Sequence, residues 1–265
     1  MGIDYEKDGH IAKVALGLQE TKNALGPDEL LQLNEIWSEC QEDDFIRVAV
    51  LYSSLDNVFC SGLNLKTALP IWSGMRPQET DAEQWFLDDY KSVGKATLKY
   101  KELDKPVIVA VNGLCVTIGF EMVMGCELRI ASETATFQMI ETKLGIMPMM
   151  RANVFLRSQI GTARAMEILL TGNAVKATTL FEWGFLNRIV AKAKVMDEAM
   201  SLAESIAVNG PKSIQGMVRC AREIQGKSLK EALEIEHEIG KPIFMSEDVH
   251  EGINAFREKR IANFK

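Results

Sequence analysis

The chain has little of what several protein classes require. Its five cysteines, Cys40, Cys60, Cys115, Cys126 and Cys220, are odd in number and irregular in spacing, with no Cys-x-x-Cys pair and no Cys/His cluster. That argues against a disulfide framework and a structural zinc, and fits reduced thiols in a cytoplasmic protein. No Lys/Arg run reaches five residues, and 30 basic residues face 37 acids, for a net charge of −7. A nucleic-acid or anionic-membrane surface is therefore not expected, and a ligand with phosphates would have to meet local positive charge. Long apolar runs are missing too. The start, MGIDYEKDGHIAKVAL, has no basic region followed by an apolar stretch, so no signal peptide or membrane span is expected. Internal repeats and low-complexity segments are absent, and the three histidines, His10, His237 and His250, lie far from the stretches that could carry chemistry.

What is present reads as an ordinary globular chain. With 265 residues, 47% apolar and 25% charged, it predicts one compact domain with a small appendage. Residues 11–18 and the β-branched run RVAVLY at 47–52 predict strands. Gly26-Pro27-Asp28-Glu29 opens a helix whose stripe is Leu30, Leu33, Ile36 and Trp37. Residues 69–84, with Pro70, Gly74 and Pro77, predict a mobile loop, and 85–103 a single helix. KPVIVAV at 105–111 is a buried strand ended by Asn112-Gly113; a helix at 118–126 and a strand at 127–131 follow. Alternating strands and helices imply an α/β core over residues 1–190, and the helical patterns beyond imply a helical region over 191–265.

Three stretches could do chemistry. Phe59-Cys60-Ser61-Gly62-Leu63-Asn64-Leu65 follows a strand, and its glycine would let backbone N–H groups approach a ligand. Asn112 to Glu121 also runs from a strand into a helix and places Glu121 in an apolar setting. Phe137 to Pro148 does the same for Glu141, with Gly145 and Pro148 fixing the loop after it. Taken singly, each has an ordinary reading: a strand-to-helix turn, a solvated helix face, an acid at a helix start. Together they offer two sources of N–H donors for a thioester oxygen and two carboxylates for its protons.

These stretches resemble the crotonase (enoyl-CoA hydratase/isomerase) superfamily over nearly the whole chain. KNAL at 22–25, FCSGLNL at 59–65, KPVIVAVNG at 105–113, ELRIAS at 127–132 with Ala135-Thr136-Phe137, and Glu141-Gly145-Pro148 follow the family's motifs in order. So do ARAMEILLTG at 163–172, EWGFLNRIV at 182–190 and the terminal FREKRIANFK. The resemblance implies a spiral of ββα units and C-terminal helices that build a trimer or a dimer of trimers. It implies Glu121 and Glu141 as the acid/base pair, and backbone N–H groups of Ser61 and Ile118 as the oxyanion hole. Acyl-CoA contacts fall to Lys22, Asn23, Ala24, Gly62, Leu63, Asn64, Leu65, Gly119, Phe256 and Lys259. No cofactor beyond the substrate's coenzyme A and no metal is implied.

The chain departs from the pattern at three places. Thr117-Ile118-Gly119 stands where the family has Gly-Gly-Gly, Asn64 replaces an Asp, and Met149-Met150-Arg151 replaces a glycine-rich segment. The last three are candidates for the acyl pocket, with Arg151 either facing the acyl group or pairing with an acid. Two glutamates favour a hydratase acting on a 2-enoyl-CoA. Alternatives are a Δ3–Δ2 isomerase, a β-oxoacyl-CoA hydrolase, or a non-catalytic binder of acyl-CoA or RNA.

Overall fold

A computed structural model describes residues 2–264; Met1 and Lys265, the last residue of the terminal FREKRIANFK segment, lie outside the described residues. Strands β1 (Ile3–Asp8) and β2 (Ile11–Leu16) pair as an antiparallel hairpin. The short β3 (Ala24–Leu25) leads to α1 (Pro27–Glu42). Pro27 opens α1 where no amide donor is needed, and the Glu29 carboxylate reaches back to accept the Gly26 N–H at 2.8 Å.

Three ββα units follow. In the first, β4 (Val48–Ser53) runs to β5 (Val58–Cys60) and β6 (Gly62–Leu63), then to α2 (Ala68–Trp72), α3 (Asp81–Asp88) and α4 (Tyr90–Ala96). In the second, β7 (Val107–Val111) and β8 (Leu114–Val116) precede α5 (Ile118–Gly125). In the third, β9 (Leu128–Ser132) and β10 (Thr136–Gln138) precede a 3₁₀ turn (Glu141–Leu144) and α6 (Ala152–Ile160). The elements α7 (Thr162–Thr171), β11 (Val175–Lys176), α8 (Ala177–Glu182) and β12 (Arg188–Val190) come next, then α9 (Val195–Ala207), α10 (Pro211–Glu223), α11 (Leu229–Phe244) and α12 (Glu247–Glu258).

The first strand of each unit enters a six-stranded sheet, ordered β1-β2-β4-β7-β9-β12 and parallel from β2 onward. The second enters a four-stranded sheet, β11-β10-β8-β5. This alternation winds the chain into the expected α/β spiral of ββα units, with helices at the C-terminal end. The central strands β4 and β7 of the large sheet are apolar on both faces because both are covered. Ala49, Leu51, Val109 and Val111 face the main core, whereas Val48, Val50, Ile108 and Ala110 pack against Val195, Ala199, Ala203 and Ala207 of α9. The sheet and α9, which lie on either side of residue 190, therefore share a core.

Two local expectations are corrected. Residues 69–84 are not one loop: α2 occupies their start, with Pro70 tolerated in its first turn. The remainder is tied down by Arg76, which pairs with the Glu83 carboxylate (3.0 Å from Nη1 to Oε2), while Glu83 also accepts the Glu79 N–H at 2.7 Å. The helix expected over 85–103 is two short helices. Asp89 leaves the helical region (φ −114°, ψ 67°), and its side chain caps α4 through the Ser92 N–H at 3.0 Å. Leu98 at φ 60° then turns the chain away.

Candidate active site

The site forms where three parallel strands of the small sheet end side by side. Cys60 of β5 pairs with Cys115 of β8, and Gln138 of β10 pairs with Val116. The residues that follow, Ser61–Gly62, Thr117–Ile118 and Ile140–Glu141, therefore converge at one edge, where ligand sites commonly form in parallel sheets. Two close approaches lock the first two turns together. A Cβ on Gly119 would lie 2.6 Å from Cys60 Cβ, and one on Gly62 (φ 116°) would run into Thr117 Oγ1. Both positions need glycine for lack of room.

These turns border an apolar cavity of about 350 Å³. Leu65, Leu69 and Trp72 line one side, and Ile140, Leu144, Ile146, Met147, Met149 and Met150 another. The polar lining comes from Ser61, Ser73, Thr117, Glu121 and Glu141, without any Lys or Arg among the described residues. Ile118 is the first residue of α5, so its N–H has no carbonyl one turn back. Among the described residues no protein acceptor takes it.

The two carboxylates are buried, at 2% exposure for Glu121 and 6% for Glu141. Glu121 Oε1 accepts three backbone N–H groups, from Met150 at 3.0 Å, Arg151 at 2.6 Å and Ala152 at 2.9 Å. Burial raises its pKa; those three bonds and the nearby Lys99 oppose the rise. Glu141 opens the 3₁₀ turn, and its Oε2 is buried without a protein partner among the described residues. Burial above all, with the neighbouring Glu121 carboxylate adding to it, pushes the Glu141 pKa up to about 7. An acid with that pKa gives or takes a proton readily near neutral pH.

A sequence model of the enoyl-CoA hydratase/isomerase family matches residues 6–265. The chain belongs to that family. It is 32% identical over 261 residues to the enoyl-CoA hydratase EchA19 of Mycobacterium tuberculosis, covering 98% of this chain and 95% of that one. It is 32% identical over 265 residues to an (E)-benzylidenesuccinyl-CoA hydratase of Thauera aromatica, covering 100% of this chain and 99% of the relative. Its fold matches the crystal structure of an enoyl-CoA hydratase from Bacillus anthracis with a TM-score of 0.88 at 27% identity, over 100% of this chain and 99% of that one.

Of the positions singled out in the sequence of this family member, Ser61, Leu63, Leu65, Ile118, Glu121, Glu141, Met149 and Met150 all line the cavity. Several of the named positions are also held by contacts within the chain. The Ser61 N–H donates to Lys22 O at 3.2 Å and its hydroxyl to Thr21 O at 3.1 Å, so Ser61 closes onto the preceding turn and offers no free donor. Asn23 is fully buried and structural. Its side chain accepts the Leu18 N–H at 2.7 Å and donates to Ser53 Oγ at 2.8 Å and Phe59 O at 2.9 Å. Ala24 pairs with Gly62 in the β3–β6 ladder, and Gly119 is taken up against Cys60. Asn64 turns its side chain back to its own loop, accepting the Lys66 N–H at 2.9 Å. Arg151 points away from the cavity: its guanidinium donates to the carbonyls of Leu98 and Lys99 and lies 4.1 Å from the Phe155 ring centre. Phe256 and Lys259 sit at the end of α12, outside the cavity lining of their own chain.

Sequence reasoning missed the α2 contribution and Thr117. Leu65, Leu69 and Trp72 recur at helical spacing, a signal obscured by Pro70 between them. Thr117 showed only as a departure from a glycine pattern. Lys99 was missed too; it joins Met149 O at 2.7 Å and so steadies the turn that binds Glu121.

Proposed function

We propose that this family member adds water across the double bond of a 2-enoyl-CoA, giving a 3-hydroxyacyl-CoA, and catalyses the reverse dehydration. The observation that carries this reading is a pair of buried carboxylates on one apolar cavity beside a free helix-start N–H. The thioester oxygen takes the Ile118 N–H, where the positive end of α5 favours the developing enolate. The second donor is the Leu63 N–H. Strand alternation puts it opposite the Asn64 N–H, which Leu25 O holds at 2.8 Å. Glu121, fixed by three N–H bonds, takes a proton from the water as it attacks the β-carbon. Glu141, with a pKa of about 7, delivers a proton to the α-carbon. Isomerisation needs a proton moved between two carbons and no water; the second carboxylate on the same cavity favours hydration over it.

The acyl group is bulky and apolar, of the branched, aromatic or alicyclic kind. An aromatic substrate class is also suggested by the name of the Thauera relative. A second carboxylate on the acyl chain is disfavoured, because the lining offers two acids and, among the described residues, no cation. The chain assembles as a homotrimer or a dimer of trimers. α11 buries none of its residues within the chain, and Leu229 and Phe244 are 77% and 75% exposed. Phe256 and Lys259 then serve coenzyme A at a subunit boundary, Lys259 meeting its phosphates.

Incubation with a panel of 2-enoyl-CoA and 3-enoyl-CoA thioesters, read by mass spectrometry, tests the reaction. A mass gain of one water supports hydration; an unchanged mass with a moved double bond would replace it by isomerisation.

A further inference from the structure

We infer that Thr117 is a substrate-contacting residue whose hydroxyl donates a hydrogen bond to the thioester oxygen as the enolate forms. The inference rests on the thioester reading of the site. Thr117 is β-branched yet sits at φ 48° and ψ −116°, a region that side chains rarely adopt and glycine enters freely. Its backbone is held there from both sides: its N–H donates to Gln138 O at 2.8 Å, and its carbonyl accepts the Glu121 N–H at 2.9 Å. The fold thus imposes a conformation for which glycine is the unstrained residue, and the chain carries a threonine.

Nothing in the protein explains the side chain. Thr117 is 9% exposed and lines the cavity, and its Oγ1 is buried with no hydrogen-bond partner among the described residues. A buried hydroxyl without a partner is costly, so such groups are normally satisfied. The location of this one supplies the partner. Oγ1 lies against Gly62, next to Leu63, while the following residue, Ile118, offers its free N–H. The hydroxyl therefore lies against the first donor turn, on a residue of the cavity lining that directly precedes the second donor. A donor placed there meets charge that grows only as the enolate forms, which makes it stronger in the transition state than in the ground state. Backbone strain at such a residue is retained because the side chain acts on substrate.

Three variants of the full-length protein test this: Thr117→Val, which keeps the shape and removes the donor, Thr117→Ser, which keeps the donor, and Thr117→Gly, which removes both side chain and strain. Thr117→Val is expected to lower kcat for the best 2-enoyl-CoA at least about tenfold with KM little changed, as for other lost oxyanion donors. Thr117→Ser recovers most of that loss. Thr117→Gly shows the same loss as Thr117→Val with a thermal midpoint no lower than that of the parent. A second readout uses acetoacetyl-CoA, whose enolate absorbs in the near ultraviolet. Thr117→Val weakens the bound enolate signal and Thr117→Ser retains it. If Thr117→Val turns over and binds the enolate like the parent, the inference is overturned. A parent protein that hydrates no enoyl-CoA counts against hydration alone, and enolate binding then decides Thr117 by itself.

Discussion

At the scale of the residue, Glu141 carries the most testable chemistry. Its carboxyl is buried, lacks a partner for Oε2 and has a pKa raised to about 7. In the acid role it must be protonated, so kcat/KM is expected to fall as pH rises through about 7. A pH–rate profile with a saturable 2-enoyl-CoA reads this, and an activity that keeps rising to pH 9 would contradict it. Glu141→Gln should lower kcat by at least about 100-fold. The same substitution should stabilise the fold in one pH window. Between the ordinary Glu value of 4.5 and about 7, the unfolded chain has released the proton that the folded chain still holds. Stability is therefore full below 4.5, falls as pH rises towards 7 and stays lower above it. Glu141→Gln removes that loss, a gain of order 2 kcal/mol at pH 8 after screening is allowed for. Urea unfolding at pH 8 and pH 5 checks this: the gain should be larger at the higher pH. Asn23 behaves oppositely. Asn23→Ala takes the partner from a buried amide, a hydroxyl and a carbonyl and should cost about 3 kcal/mol by urea unfolding, because buried groups lose their hydrogen bonds.

At the scale of the element, the site depends on how closely the ends of β5 and β8 approach. Gly119 fits against Cys60 only because it has no Cβ, since an added one would sit 2.6 Å from Cys60 Cβ. Gly119→Ala must push the α5 start away from the β5 turn. The overpacking should cost about 1–3 kcal/mol, measured as a lower urea midpoint. Activity should drop further than stability does, because Ile118 N–H and the Leu63 turn separate. The same paragraph of chain explains why Arg151 is a fastening residue and not a pocket residue. Its N–H holds Glu121, its guanidinium holds the Leu98 and Lys99 carbonyls, and Lys99 Nζ returns to Met149 O at 2.7 Å. The turn after α4 and the turn before α6 are thereby stitched together behind the carboxylate. Local pattern could not reveal this, since the partners lie about fifty residues apart in sequence.

At the scale of the whole molecule, the helical end leaves apolar side chains of α11 uncovered. α9 closes the outer face of the large sheet, whereas α11 leaves Leu229, Leu233 and Phe244 in solvent. An apolar face of this kind marks an association surface. Light scattering after size exclusion should give a trimer or a multiple of it. Leu233→Lys combined with Phe244→Lys should shift the mass to the monomer while the circular dichroism spectrum is kept. A monomeric parent would refute the assembly.

The sequence alone determined the α/β class, the large parallel sheet and the helical end, and it pointed to Glu121 and Glu141, which both line the cavity. Buried strands such as VAVLY and VIVAV are written as continuous apolar runs, and order and spacing of motifs identify a family without coordinates. Pattern was misleading where a polar side chain turned inward or a helix broke. Asp89 falls inside the helix expected over 85–103 yet caps α4, and Asn23, expected at acyl-CoA, turns its amide to Leu16, Ser53 and Phe59. Only the tertiary structure decided that Ser61 is engaged by Lys22, that Arg151 faces away from the cavity, and that Thr117, on the cavity lining, has a buried hydroxyl without a partner among the described residues. The physical reason is the same in each case. Propensity and periodicity are properties of neighbours along the chain, whereas hydrogen-bond satisfaction, desolvation and a raised pKa are set by groups that meet only after the strands have aligned.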